Sequence, residues 1–136
     1  MKYVIIGNST AGINAVEGIR QVDSEGEITI ISNEPWHTYS RPLISYLILG
    51  KTNEQKMKYR PDDFYEKMRC KTILNRTVRE IKPKQKTVAL DDGTEIPYDK
   101  LLVATGSSPF IPPAEGIETV TNSFTFLSLE DAKKLQ

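Results

Sequence analysis

The chain has 136 residues, of which 38% are hydrophobic and 26% charged, a composition typical of one globular domain or of part of a larger one. The chain has eighteen basic and eighteen acidic residues, and the basic ones form no cluster. Its charge therefore gives no indication of nucleic-acid binding. The single cysteine, Cys70, excludes an internal disulfide, and every apolar run is too short to span a membrane.

The first elements follow the order of a dinucleotide-binding βαβ unit. The apolar run Tyr3–Ile6 predicts a strand, and the amphipathic segment Ala11–Val22 predicts a helix that covers a sheet with one face. A second apolar run, Ile28–Ile31, predicts the next strand and ends near an acid, Glu34. The N-terminal run is too short for a signal peptide, which favours a cytoplasmic location.

A glycine turn, residues 7–12, joins the first predicted strand to the helix. Gly7 permits a sharp turn, Ser9 and Ala11 are small enough for a pyrophosphate to approach, and Gly12 lets the helix pack closely on the strand. Glu34 lies 22 residues after Gly12, close to the spacing of a ribose-binding carboxylate. Because Ser replaces the middle glycine of the fingerprint, an ordinary strand-to-helix turn is the alternative interpretation.

The chain after Glu34 departs from an ordinary nucleotide-binding crossover. Residues 35–42 form a loop rich in aromatic residues and proline, and Leu43–Leu49 predicts a short helix ended by a glycine. Pro61–Met68 predicts a second short helix, with proline and acidic residues in its first turn. Lys71–Leu74 predicts a third core strand.

Short alternating segments then predict an antiparallel meander. Its strands are expected at Val78–Ile81, Thr87–Leu90 and Thr94–Ile96, with turns at Lys84-Gln85 and Asp92-Gly93. The next apolar run, Leu101–Ala104, predicts a buried strand that ends in Thr105-Gly106.

Together these elements predict an α/β fold: a Rossmann-like parallel sheet with helices and a three-stranded antiparallel meander insert. Three apolar runs are continuous rather than alternating: Val4–Ile6, Ile28–Ile31 and Leu101–Val103. Continuous runs are typical of strands covered on both faces of a sheet, which we expect for all three.

Four stretches in this order resemble the N-terminal, FAD-binding part of the FAD-dependent pyridine nucleotide-disulfide oxidoreductase superfamily. The similarity is greatest to the branch of NADH:rubredoxin reductases, NADH oxidases and nitrite reductase-like proteins, and it covers essentially all 136 residues. The stretches that carry it are Val4–Gly12, Glu34, Tyr39–Leu43 and Tyr98–Pro109. The run ending in Ala104-Thr105-Gly106 is the most specific of them.

The resemblance implies FAD as the bound dinucleotide, and it implies that this α/β fold is an incomplete FAD-binding domain. It places Glu34 on the adenosine ribose, Arg41 and Pro42 against the pyrophosphate and flavin, and the backbone of Val78 against the adenine. Arg41 is also open to interpretation as an ordinary surface arginine, and Val78 as sheet packing. The complete set of expected cofactor-binding residues is Gly7, Ser9, Ala11, Gly12, Glu34, Arg41, Pro42, Val78, Ala104, Thr105 and Gly106.

The resemblance further implies an enzyme as the parent protein, an NAD(P)H-dependent flavoprotein oxidoreductase. NAD(P)H is then the co-substrate, and electrons pass through the flavin to a rubredoxin-like or other small electron carrier, or to oxygen. Thiol–disulfide chemistry is disfavoured because no cysteine lies between Glu34 and Gly50. The acceptor and the choice between NADH and NADPH stay open, and a homo-oligomer is compatible with the sequence.

No catalytic acid or base and no metal site is assigned. The only histidine, His37, lies in the aromatic loop without a second histidine or a nearby cysteine that would complete a metal site. Cys70 is expected to act as a small hydrophobic residue beside the third core strand.

The expected domain organisation assigns residues 1–108 to the FAD-binding portion and residues 109–136 to a connection toward an NAD(P)H-binding domain that the 136 residues do not include. We therefore expect a piece of a longer oxidoreductase that is inactive alone and holds FAD weakly. Two alternatives stay open, an NAD(P)-binding dehydrogenase domain and a non-catalytic flavin-binding module.

Overall fold

A computed structural model describes residues Met1–Gln136, apart from the side chain of Glu118. The chain divides into two compact units, of which the first comprises Met1–Tyr39 and Tyr59–Gly106 and the second comprises Ser40–Lys58 and Ser107–Gln136. In chain order the elements are β1 (Lys2–Ile6), α1 (Thr10–Val22), β2 (Glu27–Ile31), a 3-10 helix (Arg41–Leu43), α2 (Ile44–Ile48), α3 (Glu54–Met57), α4 (Phe64–Lys67), β3 (Cys70–Ile73), β4 (Val78–Lys82), β5 (Thr87–Leu90), β6 (Glu95–Pro97), β7 (Lys100–Val103), a second 3-10 helix (Ile117–Thr119) and α5 (Leu129–Leu135).

The first unit is built on a parallel sheet whose strand order is β3-β2-β1-β7. Ile5 at the centre of β1 is paired with Ile30 of β2 on one side and with Leu102 of β7 on the other. The predicted parallel sheet is therefore confirmed. The predicted helix at Ala11–Val22 is confirmed as α1, which begins one residue earlier.

Two hydrophobic clusters cover the two faces of this sheet. Because successive side chains point to opposite faces of a strand, Ile5 belongs to one cluster while Val4 and Ile6 belong to the other. The first cluster lies under α1 and α4 and comprises Ile5, Ile13, Val16, Ile28, Ile30, Phe64 and Cys70. The second lies under the meander and comprises Val4, Ile6, Ile31, Val88 and Leu90. The expectation of two covered faces is thus confirmed for β1 and β2.

The same expectation is wrong for β7. Leu102 is 39% exposed and Val103 is 55% exposed, although Leu101 packs against the cluster under the meander. The physical reason is position, because β7 lies beyond β1 at the edge of the sheet, and neither of the two clusters that cover the sheet includes Leu102 or Val103.

The predicted meander is present as a separate antiparallel sheet in the order β4-β5-β6. Turns occupy both expected positions, and the amide of Gly93 donates to the Leu90 carbonyl within the second turn at 3.1 Å. The register between β4 and β5 shifts between Val78 and Glu80, as in a β-bulge. Buried Val88 and Leu90 of β5 attach the meander to the parallel sheet.

The second unit contains short helices. The helix predicted at Leu43–Leu49 is present as α2, preceded by the 3-10 helix that includes Pro42, and α2 packs against α5. The sequence interpretation missed α3, although Asn53 caps it by accepting a hydrogen bond from the Lys56 amide at 3.0 Å. The buried residues of these helices are Ile44, Met57, Leu129 and Ala132.

The helix predicted at Pro61–Met68, in the first unit, is shorter than expected. Only Phe64–Lys67 is α-helical, and the buried Phe64 places it on the sheet. Across the described part of the chain, every helix falls short of the length and apolarity needed to cross a membrane.

Candidate dinucleotide-binding site

The candidate site lies at the carboxyl edge of the parallel sheet. Because the strands are parallel, the residues that follow β1, β2 and β7 emerge at the same edge. These residues are the glycine turn after β1, Glu34 three residues after β2, and Ala104-Thr105-Gly106 directly after β7. Open α/β sheets bind ligands in this position.

Gly7 brings the first and last of these segments into contact. Its φ of 120° is a conformation that residues with a side chain rarely adopt, and an added Cβ would stand 2.1 Å from the Ala104 carbonyl oxygen. The Gly7 amide donates to the Ile31 carbonyl at 2.8 Å, and the Ala104 amide donates to the Ile6 carbonyl at 2.8 Å. The sharp turn predicted for Gly7 is therefore present.

Gly12 allows the first turn of α1 to pack on the glycine turn. A Cβ at Gly12 would stand 2.0 Å from the Gly7 carbonyl oxygen and 3.3 Å from a methyl carbon of Ile5 in β1. The close packing predicted for Gly12 is therefore observed. It also fixes where the helix begins relative to the sheet edge.

Ser9 is the N-cap residue of α1, in an extended conformation. Its carbonyl accepts from the Ile13 amide at 3.0 Å, whereas within the described structure its side chain makes no capping hydrogen bond. The first amides of a helix have no partner inside the helix, so the start of α1 presents donors next to exposed Thr10 and Ala11. Such a helix start suits a phosphate group.

The backbone around Glu34 is fixed by hydrogen bonds. The Glu34 amide donates to the Ser32 hydroxyl at 3.2 Å, and the Glu34 carbonyl accepts from the Asn75 amide at 3.3 Å. Asn75 has a φ of 55°, and the next amide, of Arg76, donates to the Ser32 carbonyl at 3.0 Å. The segment after β3 therefore supports the segment that carries the acid.

The Glu34 side chain has a partner that sequence reasoning did not assign. The Tyr39 hydroxyl donates to Oε2 of Glu34 at 2.7 Å, in a partly buried contact. Tyr39 belongs to one of the stretches that carry the family resemblance, but spacing alone gives no signal for a bond across five residues of loop.

Asn8 and Tyr65 tie the aromatic loop to the glycine turn, and neither was a predicted site residue. The Tyr65 hydroxyl donates to Oδ1 of Asn8 at 2.7 Å and accepts from the Thr38 amide at 3.1 Å. Nδ2 of Asn8 also donates to the Trp36 carbonyl at 3.3 Å. Burial raises the pKa of the Tyr65 hydroxyl, although its hydrogen bonds with Asn8 and Thr38 act in the opposite direction. The hydroxyl therefore keeps its proton and acts as a donor.

His37 contacts Thr38 and Tyr65 in and beside the aromatic loop. Its Nδ1 lies 3.1 Å from the Thr38 carbonyl oxygen, and its ring meets the Tyr65 ring edge-on at 4.8 Å between centroids. No group of acidic, histidine or cysteine residues within the described chain is arranged to hold a metal ion.

The remaining predicted residues fall in two groups. Val78 opens β4 beside the bulge and packs partly against the cluster under the meander, while Thr105 and Gly106 are exposed. Arg41 and Pro42 belong to the second unit, where Nη1 of Arg41 donates to the Leu127 carbonyl at 3.2 Å. The structure thus brings Gly12 and Ala104 each into contact with Gly7 and places Glu34 at the same sheet edge.

Comparisons with known proteins show what this chain is similar to. The sequence model of the family described as pyridine nucleotide-disulphide oxidoreductase matches residues 1–136. The chain is 36% identical over 99% of its length to the epsilon subunit of NADH-dependent phenylglyoxylate dehydrogenase of Aromatoleum evansii, of which it covers 32%. It is also 36% identical over its whole length to the rubredoxin-NAD(+) reductase of Pseudomonas putida, of which it covers 35%.

The chain also has a fold similar to that of a solved structure. The water-forming NADH oxidase of Lactobacillus brevis bound to NADH superimposes with a TM-score of 0.87 at 26% identity, over 99% of this chain and 31% of the oxidase. The chain therefore spans about a third of the length of each of these three relatives.

Proposed function

Since the chain belongs to the pyridine nucleotide-disulphide oxidoreductase family, we propose that it is the FAD-binding portion of an NAD(P)H-dependent flavoprotein oxidoreductase. Proteins of this family are FAD-dependent and take NAD(P)H as substrate. The observation that carries the proposal is the sheet edge at which the glycine turn, the Ala104 strand end and the fixed Glu34 meet.

The residues present fit an FAD molecule. Gly7 and Gly12 leave no space for a Cβ, so the start of α1 is held against the sheet edge with its donors available for a pyrophosphate. Glu34 would accept from the adenosine ribose hydroxyls, and the backbone at Val78 would contact the adenine. The roles of Arg41 and Pro42 against the pyrophosphate and flavin stay predictions. When bound, FAD supplies the electron-transfer chemistry, and the residues named here bind and orient it.

We propose further that the parent protein passes electrons from the nicotinamide through the flavin to a small redox protein or to oxygen. Support comes from the two kinds of relative, one named a rubredoxin reductase and the other a water-forming NADH oxidase.

The assignment of residues 1–108 to the FAD-binding portion and of residues 109–136 to a connection toward an NAD(P)H-binding domain stays a prediction. A cytoplasmic location and a homo-oligomeric state also stay predictions.

The proposal is tested by FAD binding to the purified chain, followed through flavin absorbance and fluorescence. We expect yellow protein or saturable binding of added FAD, and Glu34→Ala should weaken that binding roughly tenfold because charge-assisted hydrogen bonds to the ribose are lost. Glu27→Ala is the matched control, since exposed Glu27 begins the strand that Glu34 follows and lies at its opposite end.

A colourless protein without affinity for FAD would contradict the proposal. An unfolding midpoint raised by NAD(H) or NADP(H), but not by FAD, would instead favour the NAD(P)-binding dehydrogenase domain.

A further inference from the structure

We infer that Tyr39 is a positioning residue that orients the Glu34 carboxylate toward the ribose hydroxyls of a bound adenine dinucleotide. The inference rests on the proposed function, because it concerns the adenosine end of the same site. Its direct observation is the hydrogen bond of 2.7 Å from the Tyr39 hydroxyl to Oε2 of Glu34. That distance is within the normal range for a hydroxyl donor and an oxygen acceptor.

A fixed backbone alone does not orient a glutamate. Ser32 and Asn75 hold the amide and the carbonyl of Glu34, but several rotatable bonds separate that backbone from the carboxylate. Tyr39 restricts this freedom by holding one carboxylate oxygen. Because a carboxylate offers about four acceptor positions, Glu34 can accept from Tyr39 and from ribose hydroxyls together.

Tyr39 can act in this way because the residue before it is anchored. Thr38 is fully buried, its amide donates to the Tyr65 hydroxyl at 3.1 Å, and its carbonyl accepts from the Tyr59 amide at 3.0 Å. Tyr65 in turn donates to Asn8 in the glycine turn at 2.7 Å.

One path of hydrogen bonds and backbone therefore runs from the phosphate end of the site to its ribose end. It passes from Asn8 through Tyr65 and Thr38 to Tyr39 and Glu34. A prearranged carboxylate binds more tightly than a mobile one, because less conformational entropy is lost on binding.

The test compares two probes, ADP and a dideoxy-ADP that lacks both ribose hydroxyls, in competition with FAD and by direct titration. Wild-type protein should prefer ADP. Tyr39→Phe should weaken ADP binding by roughly fivefold to tenfold while changing dideoxy-ADP binding by less than about twofold, because only hydroxyl recognition depends on Glu34. Tyr46→Phe, in the second unit and 50% exposed, is the matched control and should change neither affinity.

A double-mutant cycle separates positioning from simple packing. In the Glu34→Ala background, Tyr39→Phe should have no further effect on the ratio of the two affinities, because Tyr39 acts through Glu34. The ratio of the ADP and dideoxy-ADP affinities does not depend on the fraction of protein that is folded, so it can be interpreted even if a variant is less stable.

Three outcomes overturn the inference: wild-type protein that binds ADP and dideoxy-ADP equally, a Tyr39→Phe variant with the wild-type ratio, or a Tyr39 effect that persists undiminished without Glu34. A failure of the proposed function can be distinguished from a failure of this inference by comparing FAD binding with the preference for ADP. Wild-type protein that prefers ADP through Tyr39 and Glu34 but does not bind FAD would support the inference and overturn FAD as the cofactor.

Discussion

Cys70 illustrates how burial decides the chemistry of a single residue. The side chain lies at the start of β3 within the cluster under α1 and is 8% exposed. Burial raises the pKa of the Cys70 thiol to about 11, although the positive charge of Arg20 acts in the opposite direction. The expected role as a small hydrophobic residue agrees with this environment, because a neutral buried thiol is a poor nucleophile.

We predict that Cys70 reacts slowly with a thiol reagent at about pH 8 and rapidly once denaturant unfolds the chain. Because the folded pKa is raised, the contribution of the neutral thiol to stability is complete below the unfolded pKa of about 8.5 and is lost as the pH rises through about 11. Reaction rates with and without denaturant measure this difference. Equal rates in the two conditions would contradict the burial of Cys70.

Two glycines should respond oppositely to alanine. Gly7→Ala combines a φ of 120° with a carbonyl oxygen 2.1 Å from the new Cβ, so we expect a loss of about 2–4 kcal/mol in the free energy of unfolding. Gly18 is exposed in α1 and its Cβ would have open space, so Gly18→Ala should stabilise the chain by about 0.5–1 kcal/mol. Denaturant unfolding of both variants provides the measurement. Similar effects of the same sign would show that the glycine turn is not as tight as the structure has it.

At the scale of elements, the start of α5 depends on one acidic side chain. Asp131 and Ser128 form a capping box, in which the Asp131 amide donates to the Ser128 hydroxyl at 3.1 Å. Oδ2 of Asp131 accepts from the amides of Leu127 and Ser128, both at 2.9 Å, and Oδ1 accepts from the Thr125 hydroxyl at 3.0 Å. Desolvation opposes ionisation, but these donors outweigh it and lower the pKa of Asp131.

We therefore expect Asp131→Asn to lower the free energy of unfolding of the second unit by about 1–2 kcal/mol near neutral pH. The lowered pKa means that the stabilisation is present above the unfolded pKa of about 3.9 and is lost as the pH falls below it through the folded value. Wild type and variant should thus converge in acid. Thermal unfolding across this range tests the prediction, and Glu130→Gln, an exposed change in the same helix, should show no comparable loss.

The elements differed in how much of them could be predicted. The helix α1 could be placed within one residue because thirteen residues repeat an apolar face, and β5 because its alternation is bounded by turns. The short helices were less accurate, since four residues such as those of α3 contain little periodicity. Asn53 before α3 was the one available signal, as an N-cap residue.

At the scale of the whole molecule, the sequence could predict which residues reach the sheet edge but not how they are held there. Gly7, Gly12 and Glu34 follow from strand ends and spacing, which are local properties. The bonds from Tyr65 to Asn8 and from Tyr39 to Glu34 depend on tertiary packing across 57 residues and on loop conformation across five. The exposure of Val103 likewise depends on β7 lying at an edge, which its apolar sequence does not reveal.

The path of the backbone through Thr38 and Tyr59 has a consequence for changes in the length of the chain. The chain leaves the first unit after Tyr39 and returns at Tyr59, and the Tyr59 amide donates to the Thr38 carbonyl at 3.0 Å. The segment that leaves the first unit and the segment that returns to it are thus hydrogen-bonded to each other where they meet that unit. A change of length at Gly50-Lys51, which is exposed between α2 and α3, should therefore leave the register of the sheet unchanged, because loop length costs little free energy.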